Sequence, residues 1–317
     1  MTPIVLHDHQ SGSQARILPE RGFNCYGFQA AVGSQFVDVL DAQPGFDVGT
    51  ARPTRSGIPI LFPFPNRIRG GKFQWKGREY QLPDGDHQGN AIHGFCFDRE
   101  WRVVLSDEHT VVGEFQLSID AADRVKQWPT DFLIQVRYTL IGSALRADVR
   151  IANAGDDDLP WGLGFHPYFA LPLSANSRAE DCLVTVPASE TWELQENLPT
   201  GKRLPVDERI DLRTGQSLTG RTLDDVLTGL SPNEGRVETT IMDPQAGIQV
   251  RQTFDAIFRE CVVFTPPNRS CICLEPYTCT TDAINLQTQD IDAGWRVLKP
   301  GDELRTWFQI DVGLIYA

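Results

Sequence analysis

Phe132-Leu-Ile-Gln-Val-Arg-Tyr-Thr-Leu140, the connector Ile141-Gly142-Ser143-Ala144 and Leu145-Arg-Ala-Asp-Val-Arg-Ile151 decide the fold class. In both arms an apolar residue recurs at every second position, the period of a strand that buries one face. The short Gly-containing connector joins the arms as an antiparallel hairpin. Working outward, Lys72-Phe73-Gln74-Trp75 and Arg78-Glu79-Tyr80-Gln81-Leu82 flank Lys76-Gly77 and read as a second hairpin. Strand-like runs follow at Thr110 to Ile119, Thr239 to Met242, Ile248 to Phe254, Cys261 to Thr265 and Arg305 to Val312, each bounded by turn-forming residues.

Helical periodicity is scarce. Short helical turns are expected at Asp123 to Trp128, Thr222 to Leu230 and Asp255 to Glu260. With 27 Gly and 21 Pro punctuating many strands, the expected class is all-β, a large sandwich of antiparallel sheets. Leu171 to Arg178 and Glu196 to Arg221 are the most loop-like stretches, and neither reads as a linker. One domain over residues 1–317 is expected.

The 41% hydrophobic content suffices for an extended core. A formal net charge of -13 argues against nucleic acid, whose phosphates need clustered Lys and Arg. It favours neutral ligands, because an anionic substrate would need a local arginine cluster to overcome the overall field. The seven cysteines show no CxxC spacing and read as buried, reduced thiols. No basic, then apolar leader opens the chain and no run of eighteen apolar residues occurs, so the expected location is the cytoplasm, with no membrane span.

Two segments set an ionisable residue among aromatic, Pro and small residues: Gly164-Phe165-His166-Pro167-Tyr168-Phe169 and Cys273-Leu274-Glu275-Pro276-Tyr277-Thr278. Pro167 biases His166 to extended backbone, and its aromatic neighbours can wall a pocket that disfavours the charged ring. Alone, the segment equally describes a core histidine satisfied by one hydrogen bond. Glu275 follows an apolar strand-like run and precedes Pro276, which is expected to stop it. A carboxylate there is either a general base or half of a structural ion pair. Arg67 follows the stiff stretch Gly57 to Pro65 and is either a sugar-hydroxyl contact or a surface residue capping the turn before Gly70-Gly71. Asn90-Ala91-Ile92-His93-Gly94 offers a second imidazole beside a permissive glycine. Asp224-Asp225 reads as a helix N-cap. Trp101, Trp161, Phe165, Tyr168 and Tyr277 suit either core packing or the C–H faces of a sugar. No His, Cys, Asp and Glu grouping has metal-ligand spacing, and no nucleotide-binding glycine loop precedes a helix, so no metal or cofactor is expected.

In order along the chain, these motifs resemble the aldose 1-epimerase (galactose mutarotase) family. The carriers are Asn66-Arg67-Ile68, Gly71-x-Phe73 with Gly77-x-x-Tyr80-x-Leu82, Asn90-x-x-His93-Gly94 with Trp101, His166-Pro167-Tyr168-Phe169, and Leu274-Glu275-Pro276-x-Thr278-x-x-Asp282-Ala283-x-Asn285. The chain departs from the family pattern where His93-Gly94 runs directly into Phe95, and at Thr281, where Pro often precedes the Asp. The resemblance implies a galactose-mutarotase-type sandwich that interconverts α and β anomers of a free aldohexose without metal or organic cofactor. It implies Glu275 as general base, His166 as general acid, His93 and Arg67 as substrate and ring-oxygen contacts, and Asp224 as a sugar-hydroxyl acceptor. Arg52-Pro-Thr-Arg55-Ser-Gly57-Ile-Pro-Ile60 is similar to the related hexose-6-phosphate 1-epimerases, in which case Arg52, Arg55 or Arg69 would grip a phosphate.

On this reading the carboxylate and imidazole are expected to converge on opposite edges of one pyranose-sized hollow. A carboxyl lifted from about 4.3 toward neutrality beside an imidazole at about 6.5 would suit both tasks. A non-catalytic sugar-binding protein would not need both groups. A glycoside hydrolase would want two carboxylates across one bond, and only Glu275 stands out.

Overall fold

A computed structural model describes residues 1–315. The alternating stretch forms two ten-residue strands, Phe132–Ile141 and Ala144–Asn153, in antiparallel register through Ile134↔Ile151, Val136↔Val149 and Tyr138↔Ala147. They lie inside a nine-stranded sheet ordered Arg102–Ser106, Thr110–Gln116, Phe132–Ile141, Ala144–Asn153, Glu303–Leu314, Ile248–Asp255, Arg236–Asp243, Leu183–Thr185, Gln216–Ser217. Its inward face carries Phe132, Ile134, Val136, Leu145, Val149, Phe308 and Ile310, all buried. The second hairpin forms as Lys72–Trp75 and Arg78–Gln81.

An eight-stranded sheet packs on that face. Its order is Leu198–Pro205, Ala188–Gln195, Asp224–Leu230, Glu260–Phe264, Cys271–Tyr277, Gly164–Phe165, Ile60–Leu61, with Tyr168–Ala170 also on Cys271–Tyr277. Phe165 links the layers: its ring lies 4.4 Å from Phe308 and 6.1 Å from Phe258. A four-stranded sheet, Ile4–His7, Gln14–Leu18, Asn24–Val32 and Gln35–Asp38, adds Leu6, Ile17, Phe28 and Val37 to the same core. The architecture is the all-β antiparallel sandwich expected.

Period-two geometry in the eight-stranded sheet positions the site. Ile272 and Leu274 point into the core, so Cys273, Glu275 and Tyr277 point out through the opposite face. Likewise Phe165 enters the core and the next residue, His166, leaves it. The whole strand Cys271–Tyr277 is buried on both faces, which gives a continuous apolar run with no visible alternation. It also continues through Pro276 to Tyr277 rather than stopping at the proline.

Of the three helical expectations, Ala122–Gln127 is a 3₁₀ helix and Asp255 to Glu260 is a tight turn. Residues 222–230 are different: Asp224–Leu230 is a strand paired on both sides, with Ala188–Gln195 and Glu260–Phe264. Val226, Leu227 and Thr228 are consecutive and all buried, so both faces are covered and the strand period is hidden. Asp224-Asp225 is therefore no helix cap. The loop-like stretch Glu196 to Arg221 contains the strand Leu198–Pro205, joined to Ala188–Gln195 by Glu196 and Asn197 at φ 51° and 63°. All seven cysteines are buried and unbridged. Among the described residues no helix is long and apolar enough to cross a membrane.

Candidate active site

Glu275 and His166 meet in the wall of a cavity of about 630 Å³, within the usual range for small-molecule pockets. His166 is held by its backbone N–H, which donates to the Pro59 carbonyl (3.1 Å), and by the next strand, where Tyr168 pairs with Cys273. Its ring lies parallel to the Tyr168 ring at 4.7 Å. Nε2 stands 3.3 Å from Glu275 Oε1. The other carboxylate oxygen accepts a hydrogen bond from the Tyr277 hydroxyl. Gly164 is obligatory here, because a Cβ would sit 2.5 Å from the Tyr277 ring.

The two groups are in contact on one wall, not on opposite edges as the sequence led us to expect. Burial shapes both. It raises Glu275 well above the usual carboxyl range; the Asp224 charge adds to this, while the Tyr277 hydrogen bond and Arg67 oppose it. Burial also pushes His166 down to about 3, with Arg269 adding to the depression. The expectation of an imidazole at about 6.5 is thus corrected. Burial thus favours the uncharged form of each group, a protonated carboxyl beside a neutral ring.

Arg67 reaches the same cavity from the two-residue strand Arg67–Ile68, paired with Ala91–Ile92. Its Nε donates to Asp86 Oδ2 (2.9 Å) and its Nη1 to Asn66 Oδ1 (3.0 Å). Asp86 also accepts from the Asn90 side chain (2.9 Å) and the backbone of Gln88 and Asn90. Burial works against its ionisation, but these hydrogen bonds outweigh it and hold the carboxyl at about 2. Arg67 is a fixed cation in the cavity wall, not a surface turn cap.

His93 is half-buried, in left-handed backbone (φ 68°), with its N–H donating to the Asn66 carbonyl (2.8 Å). Its ring stands edge-on to His166 at 5.8 Å, and desolvation, His166 and Arg67 together lower it well below 6.5. Asp224 lines the cavity at its solvent-exposed rim, while Asp225 is drawn away into an ion pair with Arg209 (2.6 Å). All five expected residues therefore share one cavity.

Other motif residues act as braces. The Asp282 N–H donates to the Arg67 carbonyl (2.8 Å), and its carboxylate accepts from the Arg69 N–H (3.0 Å) and Asn285 (2.7 Å). Arg69 pairs with Asp282 and is outside the cavity. Trp101 and Trp161 are core residues. Unforeseen wall residues are Asp86, Phe264 and Arg269. Arg269 pairs with Asp41, donates to the Arg55 carbonyl (2.8 Å) and covers the Tyr168 ring at 4.7 Å. The charged residues among them sit in polar loops that give no local signal of burial.

The family profile of aldose 1-epimerase matches residues 45–311. The chain belongs to the aldose 1-epimerase family. It is 28% identical over 274 residues to the galactose mutarotase of Mus musculus, covering 78% of this chain and 76% of that one. The Escherichia coli K12 protein YihR is 27% identical over 232 residues, 71% of each chain. A galactose mutarotase-like protein from Clostridium acetobutylicum superimposes with a TM-score of 0.85, covering 96% of this chain and 93% of that one at 21% identity, a likeness of fold. Within the epimerase family match lie Arg67, His93, His166, Asp224 and Glu275.

Proposed function

We propose that the protein is an aldose 1-epimerase that opens and recloses an aldopyranose ring at C1, with a free aldohexose as substrate. The carrying observation is the 3.3 Å contact between Glu275 Oε1 and His166 Nε2 in the cavity wall. The anomeric hydroxyl and the ring oxygen are bonded to the same carbon, so an acid and a base that serve both must stand side by side. In the ionised form of the pair, Glu275 takes the proton from the anomeric hydroxyl and His166 delivers one to the ring oxygen. The C1–O5 bonding pair goes to the ring oxygen as the C1 carbonyl forms. This leaves Glu275 protonated and His166 neutral, the arrangement burial favours. Rotation about C1–C2 and reversed transfers close the other anomer. In this reading Arg67 and His93, which line the cavity, hold the ring oxygen's side of the sugar, and Asp224 a hydroxyl at the rim. Polarimetry, starting from pure α-glucose and α-galactose, tests this. Acceleration lost in Glu275→Gln and His166→Ala is expected; wild-type rates in both variants, or tight sugar binding with no acceleration by the wild type, would reject it.

A second reading of the substrate rests on Arg52 and Arg55, which line the cavity with no ion-pair partner among the described residues. In a chain of net charge -13 they form a local cationic patch suited to a phosphorylated aldose. Adding glucose 6-phosphate to the assay, with an Arg52→Ala, Arg55→Ala variant, separates the two.

A further inference from the structure

Next to the acid–base pair lies a thiol that the proposed reaction does not use. Cys273 and Glu275 alternate on one face of the strand Cys271–Tyr277, and one ring nitrogen of His166, Cys273 Sγ and a Glu275 oxygen all lie within 4.8 Å of one another. All three residues are buried: Cys273 is 0%, Glu275 2% and His166 7% exposed. His166 and Glu275 line the cavity, and Cys273 sits behind them against Tyr168.

We propose that His166, Cys273 and Glu275 form a binding site for a thiophilic divalent cation such as Zn²⁺, which blocks the acid–base pair while it is bound. One imidazole nitrogen, one thiolate and one carboxylate form a donor set that zinc accepts, and three protein ligands leave a fourth position toward the cavity. Sulfur and nitrogen donors disfavour Mg²⁺ and Ca²⁺. Zinc takes sulfur as thiolate, so uptake of the ion displaces the thiol proton. Glu275 Oε2 is occupied by the Tyr277 hydroxyl, which leaves Oε1 free to turn to the metal. The buried Nδ1 of His166 has no hydrogen-bond partner. A resident metal's histidine ordinarily has one. That deficit fits a reversible inhibitor rather than a permanent cofactor.

The metal site stands on the ligand geometry, and that the bound ion blocks anomerisation rests on the assigned reaction. Calorimetric titration of chelator-stripped protein with Zn²⁺ in buffers of different ionisation enthalpy should show saturable binding with release of protons. Co²⁺ should give a thiolate charge-transfer band. Anomerisation should fall with Zn²⁺ occupancy and return on adding EDTA. Cys273→Ala should keep the basal rate, lose the Co²⁺ band and bind Zn²⁺ at least about 10–100-fold more weakly, the loss seen when even an outer partner of a ligand is removed. Cys182→Ala, at a buried thiol that does not line the cavity, should leave all of this unchanged. No Zn²⁺ binding by the wild type, or binding and inhibition unaltered in Cys273→Ala, overturns the proposal; if that variant does not fold, Cys273→Ser and the wild-type Co²⁺ spectrum decide it. Zinc held through Cys273 by a protein that anomerises no aldose would retire the reaction and leave the metal site standing.

Discussion

Glu260 and Glu275 sit on neighbouring strands of one sheet and on the same face, Glu260 opposite Tyr277 and Glu275 opposite Val262. Both are buried, and burial raises both: Glu260 to about 7, Glu275 well above its ordinary value. Their surroundings differ. Glu260 lies under Trp192, whose Nε1 donates to it (3.2 Å), with Arg259 3.7 Å away and Arg203 stacked over the Trp192 ring. Glu275 opens on the cavity and touches an imidazole that can exchange its proton. A displaced pKa therefore marks burial in both places. Access and a proton-exchanging neighbour distinguish the candidate catalytic group.

The sharpest way to break this comparison is the same substitution at each site. Glu275→Gln keeps the shape and removes the proton acceptor, so anomerisation should fall by roughly 10²–10⁴-fold, the usual weight of acid–base catalysis. His166→Ala should fall as far. The double variant should be little worse than the poorer single one, because the two act as a unit. Glu260→Gln should stay within a few-fold of wild type. Comparable losses at both glutamates, measured by polarimetry with circular dichroism as the fold control, would erase the distinction.

The next effect is on stability. Glu260's pKa is raised on folding from 4.5 to about 7, so the folded chain binds that proton more tightly than the unfolded one. Its stabilising contribution is complete below pH 4.5 and is lost as pH rises through 7. Above pH 8, Glu260→Gln should therefore gain up to about 3 kcal/mol over wild type, and little at pH 4. Urea unfolding at the two pH values measures this. A gain independent of pH would mean that packing, and not ionisation, sets the difference.

Much of this sheet could be read in the sequence, and unequally so. Where one face is wet, as in 132–141 and 144–153, alternation exposes the strand directly. Where both faces are covered, as at Val226-Leu227-Thr228, the period vanishes and neighbouring residues can be mistaken for a helix. Glu275 and His166 were legible because an ionisable residue inside an apolar, proline-flanked run is conspicuous. Asp86 was not, since it lies in a polar loop and becomes a wall residue only when Arg67, Asn90 and Gln88 close on it. Nor was the approach of Cys273 to His166, because cross-strand proximity leaves no spacing pattern in the chain.

The smallest effect falls on the residue between the two carboxylates. Tyr277 donates to Glu275 and sits across the register from Glu260. Its hydrogen bond stabilises the Glu275 carboxylate against burial. Tyr277→Phe should push Glu275 further up, so that the pair keeps its single proton to higher pH. The alkaline limb of kcat/KM should then move upward, and the rate below it should drop about tenfold, the lower end of what a hydrogen bond to a charged group contributes. Neither wild type nor variant should show an inflection near 6.5, because burial pushes His166 down to about 3. The Glu260 transition near 7, followed by unfolding, should not move. An alkaline limb that does not move would place the proton on His166 instead, because the carboxylate would then be ionised, and held by Tyr277, on both sides of the titration.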